Sequence, residues 1–471
     1  MPLQEKIRDY LVRKNFLTRE TLLFSVLSVL LPNAVYIALS FFYCPYRTPI
    51  VVFLALVCML GLFLPRAIFF VLLLAIMTID ALILISNFFQ MPLPMLVDAM
   101  RYAGNVDLWN SAIYFAGFAA LLASFVLTYL AIVKAKRNRA AINYVPFVVL
   151  LAVYASVDWW VNVSPQEFAV AEASVAESYV PINRSAVLAS GLEERLNATK
   201  KRNVLVVVVE GLGAFASQEL QDLIWQPLLE DDVAGRYDVK SGDTIYFGTT
   251  TAGEVRELCG LKGDYRDFRD RDSGDCLPRR AVEAGYRTAS FHAFTGNFFE
   301  RFDWYPKIGF QELNFRETNA GIETDGALPE CGVAFRGLCD ADVAGAVERF
   351  LVNGDGERKF AYWLTLNSHK PVPPGEVPPR FGCDEEGGVF TDVELCRMAE
   401  QWLNVSYLVK AIAMRDDLAE TEIVLVGDHH PPLFTRRARY MFTPGEVAWI
   451  HLKPRGEQAL AASYSGGRNR N

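Results

Sequence analysis

The sequence predicts an N-terminal bundle of five transmembrane helices followed by an α/β domain with a mostly parallel central sheet. Long apolar runs recur through the first third of the 471 residues, and four patterns typical of buried strands alternate with helix-like segments from Arg202 onward. Hydrophobic residues make up 52% of the chain and charged residues 21%. This balance excludes a disordered or collagen-like chain and is too apolar for an ordinary soluble enzyme.

Five apolar runs in the first third are close in length to a membrane span, which needs about 17–25 residues. The first run is too long, and begins too late, to be a signal peptide. The second and fifth runs are short, and we still count them as spans. The five predicted spans are Leu22–Tyr43, Pro49–Leu64, Ala67–Phe89, Leu108–Val133 and Tyr144–Val161.

Positive charges predict the orientation of these spans, because cytoplasmic loops are enriched in Lys and Arg. With the N-terminus inside, the inner segments carry ten Lys and Arg residues and the outer loops carry only Arg47 and Arg101. Five spans then place everything after Val161 outside the cytoplasm. The predicted organisation is a transmembrane domain over residues 1–160, a linker over 161–200, an extracytoplasmic catalytic domain over 201–455 and a disordered tail over 456–471.

The two regions of the chain differ in charge. Residues 1–160 carry 12 Lys and Arg against 7 Asp and Glu, a net charge of +5, and the remainder carries 34 against 47, a net charge of −13. Neither region offers the basic face that nucleic acid binding requires. We therefore expect no nucleic acid partner, and we expect a monomer.

Two features of the membrane region have both a functional and a structural interpretation. Asp80 lies inside the third run, where a charge is costly enough to suggest function, although a hydrogen bond between packed helices is the plainer explanation. The outer loop Gln90–Val106 has apolar residues at helical spacing and could lie in the membrane interface. In an enzyme that uses lipid, this loop could border the path of the substrate. The alternative is that the loop is a simple connector between two spans.

Six of the eight cysteines lie in the outer region, close together in pairs. An even number of cysteines in an oxidising compartment indicates disulfides. We favour three local disulfides over a zinc site because the sequence contains no Cys-x-x-Cys pair. The pairing of nearest neighbours rests on proximity alone. The six candidates are Cys259, Cys276, Cys331, Cys339, Cys383 and Cys396, whereas Cys44 and Cys58 are expected to be free.

The outer region contains four continuous apolar runs, the pattern of strands that are buried on both faces of a parallel sheet. Helix-like segments such as Asp340–Asn353 and Trp402–Ala419 lie between them, which is the order of elements in an α/β domain. Ligands of such a sheet bind beyond the carboxyl ends of its strands. The runs are RNVLVVVVEGLG from Arg202, Tyr286–Phe294, Lys359–His369 and Thr421–His430.

Polar side chains stand where these runs end. Glu210 ends the first run, His292 is near the end of the second, His369 ends the third, and Asp428 with His429 ends the fourth. The ends of parallel strands share one edge, so these groups can converge, and carboxylates with imidazoles suit a divalent metal such as zinc or manganese. Glu210 as a helix cap and His369 as a hydrogen-bonded loop residue remain alternatives.

Three threonines, Thr249, Thr250 and Thr251, precede a predicted helix that starts near Ala252. A helix N-terminus offers free N–H groups and the positive end of the dipole, which suits a phosphate. A metal-bound threonine with a lowered pKa could act as a nucleophile. The alternative is that one threonine only caps the helix.

The segments VVVVEGLG and GDHH, with a threonine before a helix, resemble the alkaline-phosphatase/sulfatase superfamily. The closer resemblance is to its membrane-anchored phosphoethanolamine and phosphoglycerol transferases, which include lipid A phosphoethanolamine transferases and lipoteichoic acid synthases. These transferases also have the same order of regions, with five spans followed by a linker and an outer catalytic domain. The resemblance implies a sulfatase-like α/β domain and a multi-pass protein of the bacterial inner (cytoplasmic) membrane, with the catalytic domain on the periplasmic side.

The resemblance also implies roles for single residues. The threonine that becomes phosphorylated, itself a metal ligand, matches Thr250 when the alignment is anchored on Glu254, and Thr251 when it is anchored on the following Thr-Ala pair. We prefer Thr250. The other matching metal ligands are Glu210, Asp428 and His429.

Further residues match the substrate contacts of the resembling transferases. His369 resembles the histidine that contacts the substrate phosphate, and the segment FHAFTGNFFERFDWYPKIGF makes Arg301 the arginine that binds the lipid headgroup, with His292 beside it. The spacing of Cys331 and Cys339 resembles a disulfide of the phosphoethanolamine transferases.

The sequence also departs from the pattern of these transferases. Their Asp-His-Gly is Asp-His-His here, and a later histidine, tied to leaving-group or second-metal chemistry, has no clear counterpart. His430 or His451 could substitute for it, and we also count His430 among the substrate-binding candidates. The candidate site lacks the Cys-x-Pro-x-Arg motif of true sulfatases, which argues against sulfate ester hydrolysis.

These residues support a functional hypothesis. We expect metal-dependent transfer of a phospholipid headgroup, phosphoethanolamine before phosphoglycerol, through a phosphothreonine-type intermediate. The donor is a membrane phospholipid and the acceptor is lipid A or another envelope glycan. One alternative is a membrane-anchored phosphodiesterase or phosphatase that uses water, and another is a catalytically inactive membrane sensor.

Overall fold

The structure, a computed structural model, describes residues 18–106, 112–163, 179–197, 202–271, 275–322, 328–352, 356–383 and 388–455. The predicted tail 456–471 and residues 164–178 and 198–200 of the predicted linker lie outside the described residues. The chain divides into two compact units. The helical unit comprises Met1–Leu96 and Ser111–Phe168, and the sheet unit comprises Val97–Asn110 and Ala169–Asn471.

Apolar helices build the helical unit. Three helices are long and apolar enough to cross a membrane: Arg66–Phe88, Phe115–Ala141 and Val145–Asn162. They correspond to the third, fourth and fifth predicted spans. The helices described up to Val163 are α1 (Arg19–Val29), α2 (Ala34–Leu39), α3 (Thr48–Gly61), α4 (Arg66–Phe88), α5 (Leu93–Ala99), α6 (Ala112–Ala135) and α7 (Val145–Asn162).

The first two predicted spans differ from the structure. The run Leu22–Tyr43 is divided into α1 and α2 at Pro32, which has no amide hydrogen to continue the helix, and Asn33 stands at the N-cap of α2. The helix α3 has 14 residues. At about 1.5 Å per residue it extends over roughly 21 Å, less than the ~30 Å of a hydrocarbon core. The count of five spans therefore stays a prediction.

Asp80 is paired within the helical unit. Arg47 Nε donates to Asp80 Oδ1 at 2.8 Å, a terminal nitrogen of Arg47 contacts the other carboxylate oxygen, and both side chains are buried. Arg47 also donates to Asn33 Oδ1 at 3.1 Å through a terminal nitrogen and to Asp158 Oδ2 at 3.1 Å through its backbone nitrogen. Asp80 is thus explained by helix packing, with Arg47 as its partner.

The sheet unit contains twelve described strands, of which eight form one mixed sheet. The strands are β1 (Val180–Pro181), β2 (Asn203–Val209), β3 (Gly213–Phe215), β4 (Tyr237–Ile245), β5 (Leu261–Lys262), β6 (Tyr286–His292), β7 (Glu312–Asn314), β8 (Glu330–Cys331), β9 (Gly337–Leu338), β10 (Arg358–Leu364), β11 (Thr421–Gly427) and β12 (Phe442–Pro454). The sheet order is β3-β12-β11-β2-β10-β6-β7, and β4 also pairs with β12. Neighbours from β11 to β7 are parallel, whereas β12 is antiparallel to each of its partners. The mostly parallel sheet predicted from the sequence is confirmed.

Helices cover both faces of the sheet, because successive residues of a strand point to opposite faces and both sets are apolar. In β2, Leu205 and Val207 pack into a core with α10, α15 and α16, whereas Val206 and Val208, equally buried, point to the opposite face. The helices are α8 (Ala186–Ser190), α9 (Leu192–Arg195), α10 (Gln218–Trp225), α11 (Asp231–Arg236), α12 (Thr250–Cys259), α13 (Leu277–Glu283), α14 (Arg301–Ile308), α15 (Asp340–Val352), α16 (Val393–Ala413) and α17 (Arg436–Arg439).

All six cysteines of the sheet unit form disulfides between sequence neighbours. The pairs are Cys259–Cys276, Cys331–Cys339 and Cys383–Cys396. Cys44 and Cys58 of the helical unit are free and buried. The three local disulfides expected from the sequence are thus the ones that the structure contains.

Candidate active site

Strand register brings the predicted site residues to one edge of the sheet. Val209, the last residue of β2, pairs with Gly427, the last residue of β11, so that Glu210 and Asp428 follow side by side. At the end of β10, Leu364 pairs with Val208 on one side and with His292 on the other. The carboxyl ends of four parallel strands therefore meet, as the sequence predicts.

Three side chains at this edge are close enough to share one metal ion. One oxygen each of Glu210 and Asp428 and one ring nitrogen of His429 all lie within 4.8 Å of one another. His429 Nε2 is 3.6 Å from Glu210 Oε1 and 3.4 Å from Asp428 Oδ2. Thr250 Oγ1 donates to Glu210 Oε2 at 3.2 Å and lies 3.4 Å from His429 Nε2.

The chemistry of these side chains fits a divalent cation. Asp428 Oδ2 is buried and has no hydrogen-bond partner among the described residues, whereas Oδ1 accepts from the backbone nitrogens of Gly211 and His429, both at 2.7 Å. His429 Nδ1 lies 2.8 Å from the His430 carbonyl and therefore donates to it, which leaves the Nε2 lone pair facing the carboxylates. Burial, and then the charge of Asp428, raise the pKa of Glu210 well above its usual value. A bound cation would offset this repulsion.

Two glycines permit this arrangement. A Cβ on Gly427 would lie 1.7 Å from the carbonyl oxygen of Leu212, so only glycine lets the turn after β2 pass the end of β11. A Cβ on Gly253 would lie 2.8 Å from Asp428 Cβ. The first turn of α12 thus approaches the Asp428 backbone closely enough to bring its N-terminus to the carboxylates.

The structure separates the roles of the threonines. Helix α12 begins at Thr250, two residues before the predicted Ala252, and Thr249 occupies the N-cap position. The Thr250 hydroxyl faces Glu210, whereas Thr251 is fully buried and its hydroxyl has no hydrogen-bond partner among the described residues. Thr250 is the threonine that joins the candidate metal site.

The backbone of Glu210 is held by three side chains that sequence reasoning missed. Glu210 N donates to Thr365 Oγ1 at 2.9 Å, and the Glu210 carbonyl accepts from Ser368 Oγ at 2.7 Å and from Trp402 Nε1 at 3.0 Å. A turn and β3 follow Glu210 rather than a helix, so the capping interpretation of Glu210 is wrong. Two of the three, Thr365 and Ser368, lie in the run that ends at His369, and this position is the sequence signal that could have identified them.

His369 and His292 lie at the same edge as neutral imidazoles. His369 Nδ1 lies 3.0 Å from the Lys370 carbonyl, and its ring centroid is 3.8 Å from that of Phe335. Burial lowers the pKa of His369 to about 4. His292 Nδ1 lies 3.0 Å from the Leu364 carbonyl, and burial, followed by the charge of Arg301, lowers its pKa. A carbonyl can only accept, so Nδ1 carries the proton in both rings and each Nε2 has a lone pair.

Arg301 belongs to a buried hydrogen-bond network around Glu254, which lies one helical turn after Thr250. Arg301 donates to Glu254 through Nε at 3.4 Å and through a terminal nitrogen at 3.0 Å. The hydroxyls of Tyr305 and Tyr362 also donate to Glu254. The sequence indicated Arg301 but neither tyrosine, because side chains from three separate elements meet only in the folded chain. The network ties Arg301 to the helix that carries Thr250.

The two remaining histidines differ from the expectation. His430 Nε2 lies 2.7 Å from the Glu446 carbonyl, and the ring packs on Tyr246 at 4.7 Å between centroids. His451 Nε2 lies 2.7 Å from Glu422, the second residue of β11, at the opposite end of that strand from Asp428. The prediction that His451 could substitute for the missing histidine is therefore wrong. Strand β12 runs antiparallel to β11 and carries His451 away from the strand end that is followed by Asp428.

A Cys-x-Pro-x-Arg spacing does occur in the sequence, at Cys276–Arg280. Its cysteine is bonded to Cys259, the last residue of α12. At about 1.5 Å per residue, Cys259 lies roughly 14 Å along the helix from Thr250. The motif is thus present in letters, but its sulfur is held in a disulfide at the far end of the helix from the candidate site.

A comparison with protein families identifies the sheet unit. Residues 202–453, more than half of the chain, match the model of the sulfatase family. The chain belongs to the sulfatase family. The matched range runs from the start of β2 through nearly all of β12 and therefore contains Glu210, Thr250, Asp428 and His429. No curated protein matches the chain in sequence.

Solved structures with low similarity were also found. The lipoteichoic acid synthase LtaP from Listeria monocytogenes is 16% identical, with a TM-score of 0.37, over 57% of this chain and 72% of that one. The phosphoglycerol transferase GacH from Streptococcus pyogenes is 16% identical, with a TM-score of 0.41, over 58% and 77%. The periplasmic domain of EptC from Escherichia coli is 12% identical, with a TM-score of 0.37, over 56% and 76%. These scores are too low to add to the family match.

Proposed function

We propose that this chain transfers the headgroup of a membrane phospholipid to lipid A or another envelope glycan through a covalent intermediate on Thr250. Phosphoethanolamine is the favoured headgroup and phosphoglycerol the next. One observation carries the proposal: the Thr250 hydroxyl, at the start of a ten-residue helix, lies 3.2 Å from Glu210 Oε2 and 3.4 Å from His429 Nε2. A hydroxyl held between a carboxylate and an imidazole at a helix N-terminus is suited to attack a phosphoryl group.

The exchange needs two displacements at phosphorus. In the first, Thr250 Oγ1 attacks the donor phosphorus and an O–P bond forms. The bond from phosphorus to the diacylglycerol oxygen breaks, and the proton lost by the threonine hydroxyl is passed to that oxygen. In the second, an acceptor hydroxyl attacks the same phosphorus, the threonine O–P bond breaks, and the proton lost by the acceptor hydroxyl is returned to the threonine oxygen. We assign His369, whose Nε2 lone pair is available, to the phosphoryl group and to this proton.

Arg301 supplies positive charge for substrate binding. It is assigned to the nonbridging oxygens of the headgroup phosphate, which is mainly an electrostatic task, and His292 is assigned to substrate binding beside it as a neutral imidazole. His430 is retained only as a support for its neighbour, since its ring contacts the backbone of Glu446. A zinc or manganese ion held by Glu210, Thr250, Asp428 and His429 would lower the pKa of the threonine hydroxyl and offset charge on the transferred group.

A lipid donor explains why the sheet unit is joined to apolar helices. Three helices of the chain are long and apolar enough to cross a membrane. A phospholipid stays in the bilayer, so an enzyme that uses it must hold its active site near the headgroups. We propose the bacterial inner membrane, with the sheet unit on the periplasmic side, where the three disulfides of that unit would persist.

Labelled vesicles test the proposal. The full-length protein is placed in vesicles that contain phosphatidylethanolamine or phosphatidylglycerol with a labelled headgroup, together with lipid A. We expect diacylglycerol and labelled lipid A in equal amounts from the wild type, none from Thr250→Ala, and both from Thr251→Val. Diacylglycerol with free labelled headgroup and no labelled acceptor would favour the hydrolase, and no diacylglycerol from either lipid would contradict the proposal.

A further inference from the structure

A short segment between two apolar helices belongs to the sheet unit. Residues Val97–Val106, which include the end of α5 and the short helix Met100–Asn105, make their contacts with the sheet unit although residues on both sides in sequence belong to the helical unit. From the sequence this segment could have been a simple connector. Its contacts on the sheet unit are specific.

Four charged side chains alternate in sign around a closed ring. Asp98 Oδ2 accepts from Arg269 at 2.6 Å, and Arg269 Nε donates to Glu300 Oε2 at 2.9 Å. Arg101 closes the ring, since the same terminal nitrogen contacts Glu300 and lies 3.2 Å from Asp98 Oδ2. The hydroxyl of Tyr265 also donates to Asp98. Asp98 and Arg101, the two charged side chains of the segment in this ring, thus each contact two side chains of opposite charge.

The ring holds a strained turn of the backbone. Phe299 and Glu300 have φ values of 56° and 54°, so two successive residues with side chains adopt the left-handed conformation that normally favours glycine. Such residues persist where the surrounding structure holds them, and they cluster at functional sites. Arg301, the first residue of α14, follows immediately.

Aromatic contacts also hold this turn. The ring centroid of Tyr102 lies 5.4 Å from that of Phe298 and 5.9 Å from that of Phe299. The Phe299 carbonyl accepts from Trp304 Nε1 at 3.1 Å, and the Phe298 carbonyl accepts from Arg301 at 3.2 Å. The segment therefore contacts both left-handed residues, one by charge and one by ring packing.

We propose that Val97–Val106 positions Arg301 by holding the Phe299–Glu300 turn, with Asp98, Arg101 and Tyr102 as positioning residues. This inference rests on the proposed function in so far as Arg301 receives the headgroup phosphate. None of the three residues contacts the reacting atoms. Without the segment the turn can relax, and the start of α14 and the guanidinium of Arg301 then shift relative to Thr250.

Hydrogen exchange tests the positioning independently of activity. In the full-length protein, Arg101→Ala is compared with Arg415→Ala, since Arg415 is also exposed and also bridges two carboxylates, Glu348 and Asp417. We expect faster amide exchange in the peptide 297–305 in Arg101→Ala and no change there in Arg415→Ala. Equal exchange in wild type and Arg101→Ala would overturn the proposal.

Kinetics distinguish positioning from general destabilisation. A misplacement near 1 Å costs up to about a hundredfold in rate, so we expect Arg101→Ala to lower headgroup transfer about tenfold to a hundredfold, with unchanged metal content. Arg101→Ala combined with Glu300→Ala should lower it no further than either change alone, because both act through one ring. Additive losses would overturn the proposal. A wild-type protein without transfer activity would overturn the proposed function, and the exchange experiment would still decide the positioning.

Discussion

Two buried groups of charged side chains, one in each unit, are built in opposite ways. In the helical unit, the Arg47 guanidinium is buried against the carboxylate of Asp80, so positive and negative charge meet directly. At the candidate site of the sheet unit, the carboxylates of Glu210 and Asp428 lie beside His429, and no Lys or Arg among the described residues forms an ion pair with either carboxylate. In the first group the opposite charges are in direct contact, whereas in the second the charge of Arg301 acts on Glu210 only from a distance.

This difference separates charges that pair directly with each other from charges that have no direct partner of opposite sign. A buried ion pair becomes a liability when one partner is removed, because the other charge is left without compensation. Two buried carboxylates are a liability as they stand, and a site of that kind is kept for what it binds or catalyses. Substitution of Arg47 or Asp80 should therefore lower stability. Substitution of Glu210 or Asp428 should lower function at little cost in stability.

The largest effect is expected at Thr250. Thr250→Ala should lower headgroup transfer by more than about ten-thousandfold, because removing a nucleophile abolishes the steps that depend on it. The measurement is the initial rate of labelled headgroup transfer in vesicles. Thr251→Val is the matched control, since the buried Thr251 hydroxyl has no hydrogen-bond partner among the described residues, and it should stay within a few-fold of wild type. Equal losses in both variants would mean that the hydroxyl of Thr250 has no special role.

The next effect is on stability. Arg47→Met should lower the free energy of unfolding of the helical unit by about 3–5 kcal/mol, because Asp80 is left buried and unpaired. Thermal unfolding of the full-length protein in detergent measures this. The double variant Arg47→Met with Asp80→Leu should recover much of the loss. A double variant as unstable as the single one would show that the pair itself is not the source of the stability.

A smaller effect is expected on metal binding. Asp428→Asn should weaken divalent cation binding by more than about a hundredfold, since substituting groups that merely orient metal ligands already costs about 10–100-fold. The amide oxygen can still accept from Gly211 N and His429 N, and one negative charge is removed beside Glu210. In chelator the variant should therefore unfold at or above the wild-type temperature. If Asp428→Asn unfolds in chelator at a clearly lower temperature than the wild type, the Asp428 carboxylate contributes to stability as the Arg47–Asp80 pair does, which would contradict the proposed contrast.

The smallest effect is expected at Ser368, whose hydroxyl donates to the Glu210 carbonyl at 2.7 Å. A net hydrogen bond of this kind is worth about 0.5–1.5 kcal/mol. Ser368→Ala should weaken cation binding by no more than about tenfold, measured by titration with zinc and with manganese. A loss as large as that of Asp428→Asn would show that the orientation of Glu210, rather than its charge, dominates the site.

The sequence predicted for a physical reason that these strands end at one edge of the sheet. Strands buried on both faces are continuous apolar runs, and the first polar residue after each run marks its end. Glu210, Asp428, His429 and His369 were found in this way, and the register of the sheet confirms that their strands end at the same edge. The sequence could not decide whether Thr250 or Thr251 is the candidate nucleophile. The two residues are neighbours at the start of one helix, and only the folded chain shows which side chain points toward Glu210.

Other features depend on tertiary structure that no local pattern contains. The direction of β12 takes His451 to the far end of the sheet, and periodicity does not report strand direction. Arg47 was counted as a loop cation, and its pairing with Asp80 joins residues that are 33 positions apart. The first predicted span is divided at Pro32, although its composition alone is that of a continuous helix.

The most direct test of the account is mass spectrometry of the purified full-length protein after incubation with mixed phospholipids. We predict an added mass on the peptide that contains Thr249–Thr251, equal to phosphoethanolamine or phosphoglycerol. Fragmentation should place it on Thr250, and Thr250→Ala should carry none. An adduct on Thr251, or no adduct in a preparation shown to contain the metal and to release diacylglycerol, would contradict it.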